Sequence, residues 1–382
     1  MEYVKLNKCS TIIAGQSPES KYYNTNGDGI PFFQGKADFG ELYPTIRVYC
    51  SNPVKVAEKD DILLSVRAPV GPTNLSPGRV CIGRGLTAIR PNDNLELKYL
   101  LYFFKYFEAQ LRKKGTGTTF GAITQSTVKN LEVPVLSLPE QERIVSRIEE
   151  LLSQLDSGVE TLNMVKRQLA AYRQIALKEA FQGLKDKAPI KQLSSLVTSG
   201  SRGWAKYYSE QGSRFIRITD LTRDGIQLKN DSVQYVSLPD NTEGKRSLLC
   251  ENDVLISITA DLGSVALVPE NVSEAYINQH IAMVRFKNPA QGKFMAWYLK
   301  SESGQKDLLK NKRGNGKLGL GLDDIRNTPV PVVNDGTANE IVSRIDQRLS
   351  TCDNIEASIE DALRQSEAMR QSILKRAFEG EL

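Results

Sequence analysis

Apolar residues return every third or fourth position from Ile144 to Ala176. The seam runs through Ile144, Ile148, Leu152, Leu155, Val159, Leu162, Val165, Leu169, Tyr172 and Ala176, with polar residues between. That spacing predicts one long helix with a coiled-coil-like stripe. Pro139, Glu140 and Glu142 mark its start. Gly183 and then Pro189 mark its end. A shift of 197 residues lays Ile144–Gly183 on Ile341–Gly380 without a gap, and 18 of the 40 positions are identical. The second seam is Ile341, Ile345, Leu349, Cys352, Ile355, Ile359, Ala362, Met369 and Ile373. Forty helical residues span roughly 60 Å. So long a helix with one narrow seam needs a partner, and the chain supplies one of equal length. The expectation is an antiparallel pair holding two globular blocks apart. Its interface would hold Ile144, Ile148, Leu152, Leu155, Leu162 and Leu169 against Ile341, Ile345, Leu349, Ile355, Ile359, Met369 and Ile373. The alternative packs each helix on its own block.

Residues 1–138 show a different pattern. Short apolar runs such as GIPFF and DDILLSV alternate with the turn signals GQSPES, NTNGDG and GPTNLSPG. A helix is expected over Leu97–Lys113, then a Gly/Thr loop (GTGTTFGA) and a strand-like LEVPVL. Residues 187–335 repeat this plan. Asp61–Gly71 aligns with Asp253–Gly263, Ile82–Leu86 with Ile277–Ile281, Phe32–Gly35 with Phe215–Ile218, and Glu132–Val135 with Pro329–Val332. The apolar framework is shared, while the polar residues between the matches differ. The fold expected is α+β: two similar mixed blocks, 1–138 and 187–335, separated by two long antiparallel coiled-coil-like helices, 139–186 and 336–382. The result is a pseudo-two-fold internal repeat.

Charge sharpens this division. The net charge is +5 over 1–138, −1 over 139–186, +4 over 187–335 and −3 over 336–382. The positive charge sits in the blocks, as expected if they touch a polyanion while the helices touch each other or protein. Five cysteines are scattered singly without a CxxC pair, which fits a reduced, cytoplasmic compartment. No apolar run reaches membrane-spanning length, and the N-terminal residues have no signal-peptide core.

Familiar chemistry is missing. Gly314–Lys317 is too short for a phosphate loop and lacks the following Ser/Thr. Gly115–Gly121 follows a helix, where a dinucleotide motif must follow a strand. An amino-methyltransferase (D/N/S)PP(Y/F) motif is absent. The single histidine, His280, has no ligand cluster beside it in sequence, so no metal site is expected. Asp60 and Asp61, as strand neighbours, point to opposite faces and make a poor shared acid–base pair. Asp323–Asp324 is read as a solvated turn or helix start.

These residues resemble a known family, the specificity subunits of Type I restriction-modification systems. The likeness is carried by Leu138–Val145 (LPEQERIV), by the AFQG and AFEG endings of the two helices, by DILLSVRAPVG and DVLISITADLG, and by the full-length repeat. The second helix departs from the pattern, since Thr337–Glu340 lacks the Pro and the EQ pair. The resemblance implies a non-catalytic DNA-recognition subunit whose two target-recognition domains each read half of a bipartite double-stranded site. The helices would set the gap and dock two methyltransferase (modification) subunits. S-adenosylmethionine would bind to those partners and no cofactor to this chain; restriction subunits can join the complex. The alternative is a free-standing DNA-binding adaptor.

Arg and Lys suit guanine, and Asn and Gln suit adenine, in the major groove. Candidate DNA contacts are therefore polar loop residues where the two blocks share a scaffold. In the first block these are Lys21, Tyr22, Tyr23, Gln34, Lys36, Arg67 and Arg84, with Thr116, Thr118 and Thr119. In the second they are Arg202, Lys206, Tyr207, Arg217, Thr219, Thr259, Gln279 and His280. Lys312, Arg313, Asn315 and Lys317 belong to the densest basic stretch. Trp204 is a candidate either for base stacking or for the core.

Overall fold

The computed structural model describes residues 2–114, 121–239, 245–310, 312 and 319–382. Two compact units result. One is Met1–Asn163 with Glu360–Leu382, the other Met164–Ile359.

In the first unit the alternating apolar runs form a four-stranded antiparallel sheet, in the order Ser10–Ala14, Leu86–Pro91, Ile62–Ser65, Thr73–Leu75. Ile62, Leu63 and Leu64 are buried on both faces, because the helix Leu97–Lys114 covers one side and a second small sheet the other. That second sheet contains a parallel pair, Phe32 opposite Cys81 and Phe33 opposite Ile82. The second unit repeats the plan. Its sheet order is Ser194–Ser199, Ile281–Phe286, Val254–Ser257, Val265–Leu267. Its parallel pair sets Phe215 opposite Tyr276 and Ile216 opposite Ile277. The strands aligned in sequence thus hold matching positions. A buried carboxylate recurs as well. Asp61 takes both oxygens to Arg90 at 2.7 and 2.8 Å, and Asp253 does the same with Arg285 at 2.9 and 2.7 Å.

The long helices span Leu138–Ala180 and Asp335–Glu379. Within each unit their segments run antiparallel. In the first, Arg143 donates to the Leu382 carbonyl and Arg370 pairs with Asp156. In the second, Arg173 binds Asp353 and Glu356, and Arg348 binds Glu179. Ile144, Ile148 and Leu152 are buried with Leu374, Ala377 and Phe378. Ile341, Ile345 and Leu349 are buried with Leu177, Ala180 and Phe181. Phe378 packs on Tyr99, Phe103 and Tyr106, and Phe181 on Phe294 and Tyr298. The repeated IVSRI and AFxG strings are therefore alike because they fill equivalent cores. Between them burial thins: Leu155, Leu162, Leu169 and Ile373 are half-buried, Ile359 is buried, and Ile355 and Met369 are exposed. Gly183 and Gly380 adopt left-handed φ values of 88° and 83° just past the two helices, where a side chain would be strained.

Gln141 of the LPEQERIV string is fully buried. Its carbonyl accepts from Glu96 N, and its amide donates to the Asn94 and Leu136 carbonyls. The second helix has Ala338 at this position. There Gln291 supplies amide bonds instead, to the Val333 carbonyl and to Asp335. Asp323 and Asp324 do begin a helix, Leu322–Asn327. Asp324, however, is buried and accepts from Gly321 N, so only Asp323 is solvated. Among the described residues no helix is long and apolar enough to cross a membrane.

Candidate nucleic-acid interface

The parallel pairing in the first block ends two strands side by side, so Gln34 and Arg84 emerge together. Gly83 N donates to the Phe33 carbonyl, and Arg84 N to Ser17 Oγ at 3.2 Å. A Cβ at Gly85 would lie 2.2 Å from the Gln34 carbonyl oxygen, so this close crossing requires glycine. Val66 N donates to the Gly85 carbonyl, which brings Arg67 alongside. Ser65 Oγ donates to the Arg67 and Pro69 carbonyls at 3.1 and 2.9 Å and holds that turn. The result is a cleft of about 600 Å³ lined in part by Gln34, Lys36, Arg67, Arg84, Ser17 and Asp38. Gln34, Lys36, Arg67 and Arg84 are exposed. Among the described residues none of the three cations pairs with a carboxylate. Unpaired cations on a concave rim suit a polyanion, because binding releases its counterions. Nothing in the local sequence pattern marks Ser17 or Asp38.

Lys21, Tyr22 and Tyr23 lie outside this cleft. Lys21 pairs with Glu19 at 2.7 Å and sits 5.0 Å from the Tyr22 ring centroid. Tyr23 donates to the Pro18 carbonyl and packs on Phe32; burial raises its pKa. Lys206 stands 4.9 Å from the Tyr207 ring centroid in the matching turn.

The second block builds the same frame and fills it differently. Asn278 N donates to the Ile216 carbonyl and Ile258 N to the His280 carbonyl. Gln279 and His280 therefore replace Arg84 and Gly85, and Thr259 replaces Arg67. All three are half-buried. His280 Nδ1 is 2.7 Å from Thr259 Oγ1, and His280 Nε2 is 3.0 Å from Gln279 Nε2. Arg217, in the place of Gln34, is tied back: it donates to the Ser232 carbonyl at 2.9 Å and lies 3.5 Å from buried Asp220. Its Nε is buried without a partner among the described residues. Arg202, Lys206 and Thr219 are exposed, and Tyr207 is half-buried. Trp204 is buried against Phe215 and Tyr276, a core position.

Two isolated strand bridges also reach these rims. Ala122 bridges to Arg67, and Gly319 to Thr259. Lys312 is exposed. Thr116, Thr118, Thr119, Arg313, Asn315 and Lys317 lie outside the described residues. Nearby, Lys300 is buried and donates to the Thr222 carbonyl at 2.8 Å; burial pushes its pKa down to about 8. Lys105 holds the matching helix position, and burial lowers its pKa too. Among the described residues no group of three or more His, Cys, Asp or Glu could hold a metal ion.

A model of the Type I restriction modification DNA specificity domain matches residues 1–167 and again residues 191–365. A provisionally named type I restriction enzyme MjaX specificity subunit from Methanocaldococcus jannaschii is 40% identical over 159 residues. That covers 41% of this chain and 36% of the relative. The type I restriction enzyme EcoBI specificity subunit of Escherichia coli is 21% identical over 415 residues, covering 99% of this chain and 85% of the relative. The crystal structure of an HsdS subunit from Thermoanaerobacter tengcongensis is 49% identical over 40% of this chain and 37% of that one, with a TM-score of 0.38. The matches thus span little more than a third of the first relative and of that solved chain.

Proposed function

The chain belongs to the Type I restriction-modification DNA specificity family, and from that premise we propose that it reads a bipartite double-stranded DNA site, one half with each block. The observation that carries this reading is the repeated frame with unlike rims. Equivalent strand ends bear Gln34, Arg67 and Arg84 in one block and Arg217, Thr259 and Gln279 in the other. A frame used twice with the same rim would read one sequence twice; unlike rims suit two different half-sites.

In this reading the long helices set the unspecified gap and dock two methyltransferase subunits. Those partners bind S-adenosylmethionine and methylate adenine at N6, and restriction subunits can join them. This chain binds no cofactor and carries out no chemistry; it works in the cytoplasm. The test is to delete seven residues from the middle of both helices and sequence the methylated adenines made by the assembled complex. Seven helical residues span roughly 10 Å, or about three base pairs of duplex. The gap should shorten by about that amount while both half-sites stay unchanged. An unaltered gap would remove the spacer role, and no methylation pattern traceable to this chain would leave a free-standing DNA-binding adaptor.

A further inference from the structure

With the Gln279 amide as the structure places it, the chain Gln279–His280–Thr259 has one consistent arrangement of hydrogens around a neutral imidazole. Gln279 Nε2 can only donate. At 3.0 Å it faces His280 Nε2, which must therefore accept. A neutral imidazole carries one proton, so that proton is on Nδ1 and goes to Thr259 Oγ1, 2.7 Å away. The backbone holds the ring from the other side: His280 N donates to Asn278 Oδ1 at 3.1 Å, and the His280 carbonyl accepts from Ile258 N at 2.9 Å. His280 thereby fixes the rotation of the Gln279 amide. With Nε2 turned to the imidazole, Oε1 remains as an acceptor beside the second Nε2 hydrogen. Among the described residues neither of these has a further partner.

We propose that Gln279 is an adenine-reading residue of the second half-site and that His280 is its positioning residue. Adenine presents an N6 donor and an N7 acceptor in the major groove. An amide offering Oε1 and one N–H edge-on matches that pair. The opposite rotation would exchange the two along that edge, setting the N–H against the N6 donor and Oε1 against the N7 acceptor. The first block has Arg84 and Gly85 at these positions, with no imidazole to hold a side chain and a guanidinium suited to guanine O6 and N7. The inference rests on the DNA-reading function proposed above and adds a base and a residue to it.

The full chain, assembled with its methyltransferase subunits, would be used to select from a pool of double-stranded DNA carrying random bases. The unaltered chain should enrich a bipartite motif. Gln279→Ala should lower the preference for adenine at one position of one half about tenfold and leave the other half intact. Gln279→Arg should move that position toward guanine. His280→Leu should relax the same position, and His280→Gln, which returns an acceptor at similar reach, should restore it. Rescue of base preference separates positioning from a merely structural role. The inference is overturned if Gln279→Arg, a change at the rim, leaves every position as it was. It is equally overturned if the affected base is not adenine, or if His280→Leu weakens all DNA evenly. If the unaltered chain enriches no motif, the DNA-reading function falls first and takes the inference with it.

Discussion

The two recognition blocks are the same where side chains have buried partners and different where they meet solvent. Asp61 with Arg90 and Asp253 with Arg285 make the same two-point contact. Ser65 and Ser257 each donate back into the turn that follows them. The strand ends diverge. The first block leaves an open cleft where Lys36, Arg67 and Arg84 pair with no carboxylate among the described residues, whereas the second seats an imidazole between a threonine and a glutamine. One frame can thus carry two rims, because the Asp–Arg pairs and the serine turn bonds that both blocks share do not involve the rim side chains.

That equivalence can be broken by removing the arginines. Arg90→Ala and Arg285→Ala each leave a carboxylate that is 1% exposed without its counter-ion. Each should cost about 3 kcal/mol, measured by hydrogen exchange within each block. Losses differing by more than about 2 kcal/mol would show that the two frames are not energetically alike.

A smaller effect comes from Lys300 and Lys105. Lys300 has a pKa of about 8 against an ordinary 10.5. As pH rises from 8 to 10.5, the folded state gives up this proton before the unfolded state does. The unfolded state then binds more protons, so stability rises with pH, by on the order of 2 kcal/mol. Lys300→Met should abolish that gain, followed by the fluorescence of Trp297 three residues away. Lys105→Met should remove a lesser gain in the first block, since Lys105 is only half-buried.

The smallest effect concerns the turns that both blocks share. Lys21→Ala and Lys206→Ala should each lower the slope of log affinity against log salt by about 1 without altering base preference in a random-pool selection. A changed preference would show that a shared residue also reads sequence.

Much of the frame was legible because burial constrains sequence. The IVSRI and AFxG strings, the DILLSV and DVLISI strands and the Phe32–Gly35 register all fill equivalent cores. The helix seams were legible for the same reason at their ends and less so in the middle, where Ile355 and Met369 keep the spacing yet stand in solvent. Long-range polar partners left weaker traces. The Asp61–Arg90 pair spans 29 positions and Asp253–Arg285 spans 32, so loop length hid a shared contact. His280 had no ligand neighbour in sequence; its partner Thr259 lies 21 residues away and is brought close by strand pairing. Gln141 was visible only as part of a motif, and its burial supplies the physical reason for that motif.

The first unit is assembled from two stretches of chain, and this bears on the order in which the protein matures. A ribosome releases residues from the N-terminal side, and domains fold as units while they emerge. Met164–Ile359 is continuous, so the later block has all its residues as soon as it is made. The earlier block must wait for Glu360–Leu382, because Phe378 completes the aromatic cluster around Tyr99, Phe103 and Tyr106. The half translated first is therefore finished last, and throughout synthesis of the other half its aromatic socket stays open, a window in which a chaperone or a second nascent copy could engage it.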